Sequence, residues 1–382
     1  MENIYEKSIE LHKKHKGKLE VKSKVPLLTK DDLSLAYTPG VAGVCLAIAK
    51  DNTLAKEYTM KRNTVAIVSD GTAILGLGDL GPLSAIPVME GKAAIFKEFG
   101  GVDAFPICLD TKDTEEIIKA VKQISPVFGG INLEDISAPR CFEIEERLRK
   151  ELDIPVMHDD QWGAATVTLS ALINALKIKG LDKENAQVVI SGVGAAGVAT
   201  GRLLHEYGIL KTTFCDSKGI ITTKRENLTK EKIELLKNSS TKEKEGTLED
   251  AINGADVFIG LSKPNVLSID MVKSMAEKPI IFALANPDPE IKRDDAIKAG
   301  AYIIATGRSD YPNQINNSLV FPGAFKAMLD NKIPQFENKI FIKVAEDLAN
   351  MIENPTPEKI IPSMFDNGVK ETVYNAVSSL SL

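Results

Sequence analysis

Cysteine and histidine are scarce in this sequence, with four of each in 382 residues, and neither type is clustered. Cys45, Cys108, Cys141 and Cys215 show none of the paired spacing of a zinc site or a redox dithiol, and their small apolar neighbours mark them as buried, reduced thiols. His12 and His15 fall in a lysine-rich segment that reads as a solvated face, and His205 falls in an amphipathic helical pattern. A basic excess is also missing. The net charge of -6 lacks the broad cationic surface that neutralising a phosphate backbone requires, which argues against nucleic acid as a partner. No run of about 18 apolar residues is present. The charged start MENIYEKSIELHKKHKGKLE has no apolar stretch of the signal-peptide kind. These absences together lead us to expect a cytoplasmic protein with no membrane partner.

What is present is alternation. β-branched or apolar runs at 64–68, 104–109, 127–133 and 154–157 read as strands, with helical patterns at 83–99, 114–124 and about 138–152 between them. Strand, helix, strand is the order of a parallel sheet. An Ala/Thr/Leu helix over 163–176 leads to a second unit, with strands expected at 187–191, 212–215, 256–260, 280–284 and 302–305. The fold expected is α/β. An N-terminal α/β domain with a parallel sheet, residues 1–160, precedes a doubly wound Rossmann domain, residues 161–365, and a C-terminal helix, 366–382. The charged segment 224–244 is expected as an exposed helix or loop on the edge of the second sheet.

Gly192-Val193-Gly194-Ala195-Ala196-Gly197 fits the G-x-G-x-x-G pattern, and its context makes the match specific. It follows the strand QVVIS, opens a helix, and precedes a strand ending at Asp216. Gly192 permits the tight turn, Gly194 lets the backbone approach a pyrophosphate, and Gly197 lets helix and strand pack closely. The N–H groups of Ala195 and Ala196 then face the phosphates at the helix N-terminus. Asp216 would accept both ribose hydroxyls, which favours NAD. The adjacent Lys218 could instead neutralise the 2′-phosphate of NADP.

Glu134, Asp135 and Asp160 stand at the ends of two expected strands with no soft ligand near them, a donor set suited to Mg²⁺ or Mn²⁺. The competing reading is that Asp135 or Ser137 caps the following helix. Lys92 in an apolar helix and Tyr37 before Pro39-Gly40 are each ambiguous on their own, as are Asn286 and Asn317, which also suit turns.

SLAYTPGVA (34–42), VMEGKA (88–93), NLEDI (132–136), HDDQWGAA (158–165), GVGAAG (192–197), LANP (284–287) and NNSLVFPG (316–323) together resemble the malic enzyme family, over about residues 10–370. The resemblance implies oxidative decarboxylation of malate to pyruvate and CO2 with reduction of NAD or NADP. It implies Glu134, Asp135 and Asp160 as metal ligands, Lys92 as general base, Tyr37 as general acid, and Asp159 paired with Lys92. Asn286 and Asn317 would contact malate or the nicotinamide side of the cofactor. The chain is similar to the short bacterial type, expected as a homodimer or higher homo-oligomer. One departure stands out: VAIVSDGTAILGLGDLG lacks the arginine that longer members carry near this point, the group that would meet malate's distal carboxylate. Two rivals remain at this level: a metal-free oxidoreductase resembling amino-acid dehydrogenases, and a non-catalytic nucleotide sensor.

Overall fold

A computed structural model describes residues 4–380. Strands Thr64–Ser69 (β1), Asp103–Cys108 (β2), Gly130–Leu133 (β3) and Val156–His158 (β4) form a parallel sheet of order β2-β1-β3-β4. Every residue of β1 is buried, as a parallel strand covered on both faces requires. The connecting helices Pro82–Ile95, Thr114–Ile124 and Arg140–Glu151 bury apolar residues such as Met89, Ile117 and Ile144 against this sheet.

The second sheet comprises Val188–Ser191 (β5), Thr212–Asp216 (β6), Gly219–Ile220 (β7), Val257–Gly260 (β8), Ile280–Ala283 (β9) and Ile303–Thr306 (β10). Its order is β10-β9-β8-β5-β6-β7, parallel except for β7. The chain builds outward from β5 to β6 and β7, then returns to β8 on the other side. The crevice beyond the carboxyl ends of β5 and β8 is therefore the switch point where such sheets bind ligands. The charged segment carries the helix Lys230–Asn238, with exposed flanks.

Several expectations shift in detail. Residues 125–127 form a 3-10 turn, so β3 starts only at Gly130. The helix after β4 spans Asp159–Lys179, earlier than the apolar pattern indicates, and puts Asp159 and Asp160 in its first turn. Cys141 and Cys215 are buried, but Cys45 is exposed and Cys108 half-buried; Cys45 lies on an uncovered helix, so apolar neighbours did not make it a core residue. Of the three C-terminal helices, Phe321–Asp330 packs onto the first sheet's side: Phe321 and Phe325 meet the Phe96 ring at 4.6 and 5.5 Å. The first domain is thus completed by sequence from beyond the nucleotide sheet.

The N-terminal arm is different. Helices Ile4–His15, Lys30–Ala36 and Val41–Lys50 contain no buried residue, although the last reads VAGVCLAIAK. Residues Lys30–Lys50 are long and apolar enough, by length and composition alone, to cross a membrane, yet they carry Asp31 and Asp32 and break into two helices around Pro39.

Candidate active site

The first sheet's register brings the acids together. Leu133 pairs with His158 across β3 and β4, so Glu134-Asp135 and Asp159-Asp160 leave adjacent strand ends side by side. Lys92, on the helix Pro82–Ile95, reaches into this group. Its Nζ donates to Asp159 Oδ2 at 2.5 Å and to Glu134 Oε1, and lies 4.6 Å from the centre of the Phe321 ring. Asn132 Nδ2 donates to the other Glu134 oxygen at 3.0 Å, and Asp160 Oδ2 accepts the Asp135 N–H at 2.8 Å. Asn317 lies against Asp159 and favours its charged form. Lys92, Glu134, Asp135 and Asp159 are all buried.

Burial works to lower the Lys92 ammonium, but the carboxylates of Asp159 and Glu134 outweigh it and hold Lys92 above its ordinary pKa. The acids move the same way for a different reason. Burial, then repulsion from Asp160, raises Glu134 and Asp135, while burial pushes Asp159 up to about 7. Four carboxyl groups share one ammonium, so the enclosed site carries more acid than it has positive charge to balance. His158 does not relieve this: burial pushes it down to about 4 and leaves it neutral.

The donor set fits a hard divalent cation. All the candidate donors are oxygens, and Asp135 Oδ2 and Asp159 Oδ1 are buried with no hydrogen-bond partner. Asp135 also holds a left-handed backbone, φ +53°, a conformation that costs energy for a residue with a side chain and recurs at functional sites. The competing cap role fails, because the helix Arg140–Glu151 has Pro139 at its N-cap and no side chain bonded there. Among the described residues no three ligand side chains are gathered as a ready-made shell. The reason is visible: Glu134 is turned to Lys92, and Asp160 to the Asp135 N–H.

The second site lies at the switch point. Gly192 has φ +100°, and a Cβ there would stand 2.3 Å from the Leu261 carbonyl; a Cβ on Gly197 would stand 1.9 Å from the Gly192 carbonyl. Gly194, at the N-cap of the helix Ala195–Tyr207, faces open space, leaving its backbone and the N–H groups of Ala195 and Ala196 free to approach an anion. A cavity of about 500 Å³ follows, lined by Gly192, Asp216, Ser217, Lys218, Ser262 and Lys263 among others. Asp216 lines this cavity with its acceptors already taken. Its Oδ1 accepts the Lys218 N–H and Arg225 Nη1, both at 3.0 Å; its Oδ2 accepts Arg225 Nη2 at 3.0 Å and Lys232 Nζ at 3.1 Å. Burial works to raise this carboxyl, but these donors prevail and hold it low.

The first domain also touches the segment that holds Asn286. A Cβ on Gly76, in the loop after β1, would stand 2.3 Å from the Asn286 carbonyl oxygen, so that loop rests directly on the LANP segment. Glu290, fully buried, accepts the N–H groups of Ser262 and Ala285 at 3.0 Å and ties the ends of β8 and β9 together. Tyr37 is not brought in: it is 67% exposed on the N-terminal arm. Sequence reasoning missed Arg225, Lys232, Glu290 and Glu145 as site-shaping residues, and for the first three the pattern holds no sign. For Glu145 a signal existed, since with Cys141, Ile144 and Leu148 it falls on the apolar face of its helix.

Residues 16–149 match the family described as malic enzyme, N-terminal domain, and residues 162–375 match malic enzyme, NAD binding domain. The chain is 50% identical to the bifunctional malic/malolactic enzyme of Bacillus subtilis, over all of this chain and 93% of that protein. It is 47% identical to the NADP-dependent malic enzyme of Rhizobium meliloti, over 90% of this chain but 45% of that longer protein. The crystal structure of the NAD-dependent malic enzyme of Thermotoga maritima superposes with a TM-score of 0.94 at 46% identity, covering 97% of this chain and 98% of that one.

Proposed function

The chain belongs to the malic enzyme family, and from that premise we propose that it oxidatively decarboxylates malate to pyruvate and CO2 with divalent-metal assistance, reducing NAD or NADP. The observation that carries this reading is Lys92, buried between Asp159 and Glu134 beside two further acids. Glu134, Asp135 and Asp160 would hold Mg²⁺ or Mn²⁺. When bound, such a cation polarises the substrate's C2 oxygen and offsets the carboxylates that keep Lys92 protonated, while the dinucleotide takes the hydride. Lys92 removes the C2 hydroxyl proton as C2 is oxidised. Asp159 holds Lys92 in line for that transfer, with Asn317 steadying Asp159. Asn286, against which the Gly76 loop packs, would contact malate or the nicotinamide side of the cofactor.

After CO2 leaves, the enol form of pyruvate needs a proton at C3, and Tyr37 is the acid assigned to it. A second copy of the chain would supply that residue. The arm exposes Leu33, Leu35, Tyr37, Val44 and Leu46, an apolar surface that a monomer has no reason to leave in water. Docking of the arm on a neighbour would cover it and bring the partner subunit's Tyr37 to the acid cluster.

For the dinucleotide, Asp216 would favour NAD if its oxygens were free to take both ribose hydroxyls. Its four acceptor positions are already filled. With Arg225 and Lys232 on Asp216, and Lys218 and Lys263 lining the cavity, positive charge prevails at the ribose end. The reading this supports is acceptance of both dinucleotides.

Malate oxidation measured with each dinucleotide, before and after exhaustive chelation and after Mn²⁺ is restored, tests the whole proposal. Turnover should vanish on chelation and return with Mn²⁺. Full activity in the chelated protein would overturn the metal-assisted mechanism in favour of the metal-free oxidoreductase.

A further inference from the structure

Gln161 and Trp162 belong to the HDDQW motif, yet neither has a part in the chemistry above. Both side chains point at one buried carboxylate. Glu145 Oε1 accepts the His158 N–H at 2.9 Å, and Oε2 accepts Gln161 Nε2 and Trp162 Nε1, each at 3.0 Å. Glu145 is 4% exposed, and none of these three donors is a cation. A buried carboxylate is costly unless hydrogen-bonded, and charge-assisted bonds are strong and directional, so this geometry is held firmly. The donors bracket Asp159 and Asp160: His158 is the N-cap of the helix Asp159–Lys179, and Gln161 and Trp162 lie in its first turn. The Trp162 ring is itself fixed, stacked on Phe341 at 5.0 Å and 5°.

Glu145 comes from the helix Arg140–Glu151, which begins shortly after Glu134 and Asp135. Its carboxylate therefore ties the helix that follows one pair of acids to the turn that bears the other pair. We propose that Glu145 is a positioning residue which, through His158, Gln161 and Trp162, holds Asp159 against Lys92 and Asp160 against Asp135. The proposal rests on the reading of these acids as a divalent-cation site.

Glu145→Gln and Trp162→Phe in the full chain test it. The amide keeps the shape of Glu145 but presents N–H to donors; the phenyl ring keeps an aromatic surface for the stack and removes one N–H. Mn²⁺ affinity is followed by electron paramagnetic resonance, dinucleotide affinity by NADH fluorescence, and folding by calorimetry. Trp162 is the sole tryptophan, so its emission reports directly on the Glu145 contact. Loss of an outer partner of a ligand set costs about 10–100-fold in metal affinity, and Glu145→Gln should fall in that range. It should leave NADH affinity unchanged, shift the Trp162 emission, and recover turnover when Mn²⁺ is raised to saturation. Trp162→Phe should weaken Mn²⁺ in the same direction but less, and the double variant should lose less than the two singles combined. If both variants fold and bind Mn²⁺ like the parent, with only the melting temperature lowered, Glu145 merely supports the fold and the proposal is overturned. If the parent protein itself fails to bind Mn²⁺, the cation reading falls and this proposal with it. Should Glu145→Gln fail to fold, unchanged Mn²⁺ affinity in Trp162→Phe is sufficient to overturn it.

Discussion

Lys92 Nζ and Asp159 Oδ2 form a buried ion pair at 2.5 Å that joins the helix Pro82–Ile95 to the first turn of the helix Asp159–Lys179. The pair sets the protonation of the base as well as its position. Asp159 is the largest influence holding the Lys92 ammonium above its ordinary pKa, against burial, which works to lower it. In Asp159→Asn that support is lost. The Lys92 pKa should then fall, by about one to three units for removal of a close opposite charge. A base works in its deprotonated form, so the limb of the kcat/KM profile on which rate rises with pH should move to lower pH. An unmoved limb, with the variant folded, would mean that Lys92 is not the group titrating in catalysis.

The same cluster predicts how stability depends on pH and metal. Burial and mutual repulsion raise Asp135 and Glu134, and burial pushes Asp159 up to about 7. Ordinary carboxyls release their protons near pH 4. Between there and the raised folded values, the folded state binds protons that the unfolded state has already lost, so the metal-free protein loses stability as pH rises through that window. Lys92 does not offset the trend. Its pKa is raised from 10.5, so its contribution stays constant below about that pH and is lost as pH rises from there through its folded value. A divalent cation competes with those protons, so Mn²⁺ should raise the melting temperature more at pH 8 than at pH 5. Calorimetry at the two pH values checks this; an equal or reversed effect would show that the cation does not bind at these acids.

Both sheets, and the acids at the strand ends, are legible in the sequence because each depends on local pattern. The strand VAIVS announces a buried strand by composition, and Gly192 and Gly197 announce a turn that no side chain would permit. What the pattern does not carry is pairing across distance. Asp216 ends its strand as expected, but Arg225 and Lys232, which fill its oxygens, come from a charged stretch whose lysines look alike in sequence. Helix Phe321–Asp330 has the composition of any core helix, and nothing local says that Phe321 and Phe325 pack on Phe96 in the other half of the chain. The arm is the reverse case. VAGVCLAIAK reads as core, yet no residue of it is buried in a single copy, because periodicity reports that a face needs covering and not which molecule covers it.

On the proposed reading, the filled carboxylate of Asp216 would make dinucleotide choice a matter of charge. Arg225→Ala removes a bidentate partner and frees an acceptor on each Asp216 oxygen. NADPH binding should weaken, since a 2′-phosphate would then face a less compensated carboxylate. NADH should hold or gain by reaching the freed acceptors. A hydrogen bond to a charged group is worth about 1.5–3 kcal/mol, so the ratio of the two dissociation constants should move by roughly ten- to hundredfold. Equilibrium binding followed by NADH and NADPH fluorescence checks this. Parallel weakening of both would mean that Arg225 only supports the strand end.

The exposed arm leads to the most decisive prediction, because in one copy of the chain Tyr37 is exposed while Lys92 is buried. Tyr37 stands in solvent while Lys92 is 7% exposed, so the proposed mechanism requires Tyr37 to arrive from elsewhere. If it arrives from a second copy in a two-fold dimer, each site combines one chain's Lys92 with the partner's Tyr37. Tyr37→Phe and Lys92→Ala should each be nearly inactive alone, with losses of about 10²–10⁴ expected for a positioned acid or base. Mixed and allowed to exchange subunits, they behave differently. In a heterodimer one site collects both substitutions and the other collects neither. With random pairing half of the dimers are mixed and half of their sites are intact, so roughly a quarter of parental activity should return. Were Tyr37 to fold back onto its own chain's acid cluster, every site would keep one defect and mixing would restore nothing. Malate turnover measured before and after exchange, with exchange itself verified on differently tagged chains, separates the two arrangements.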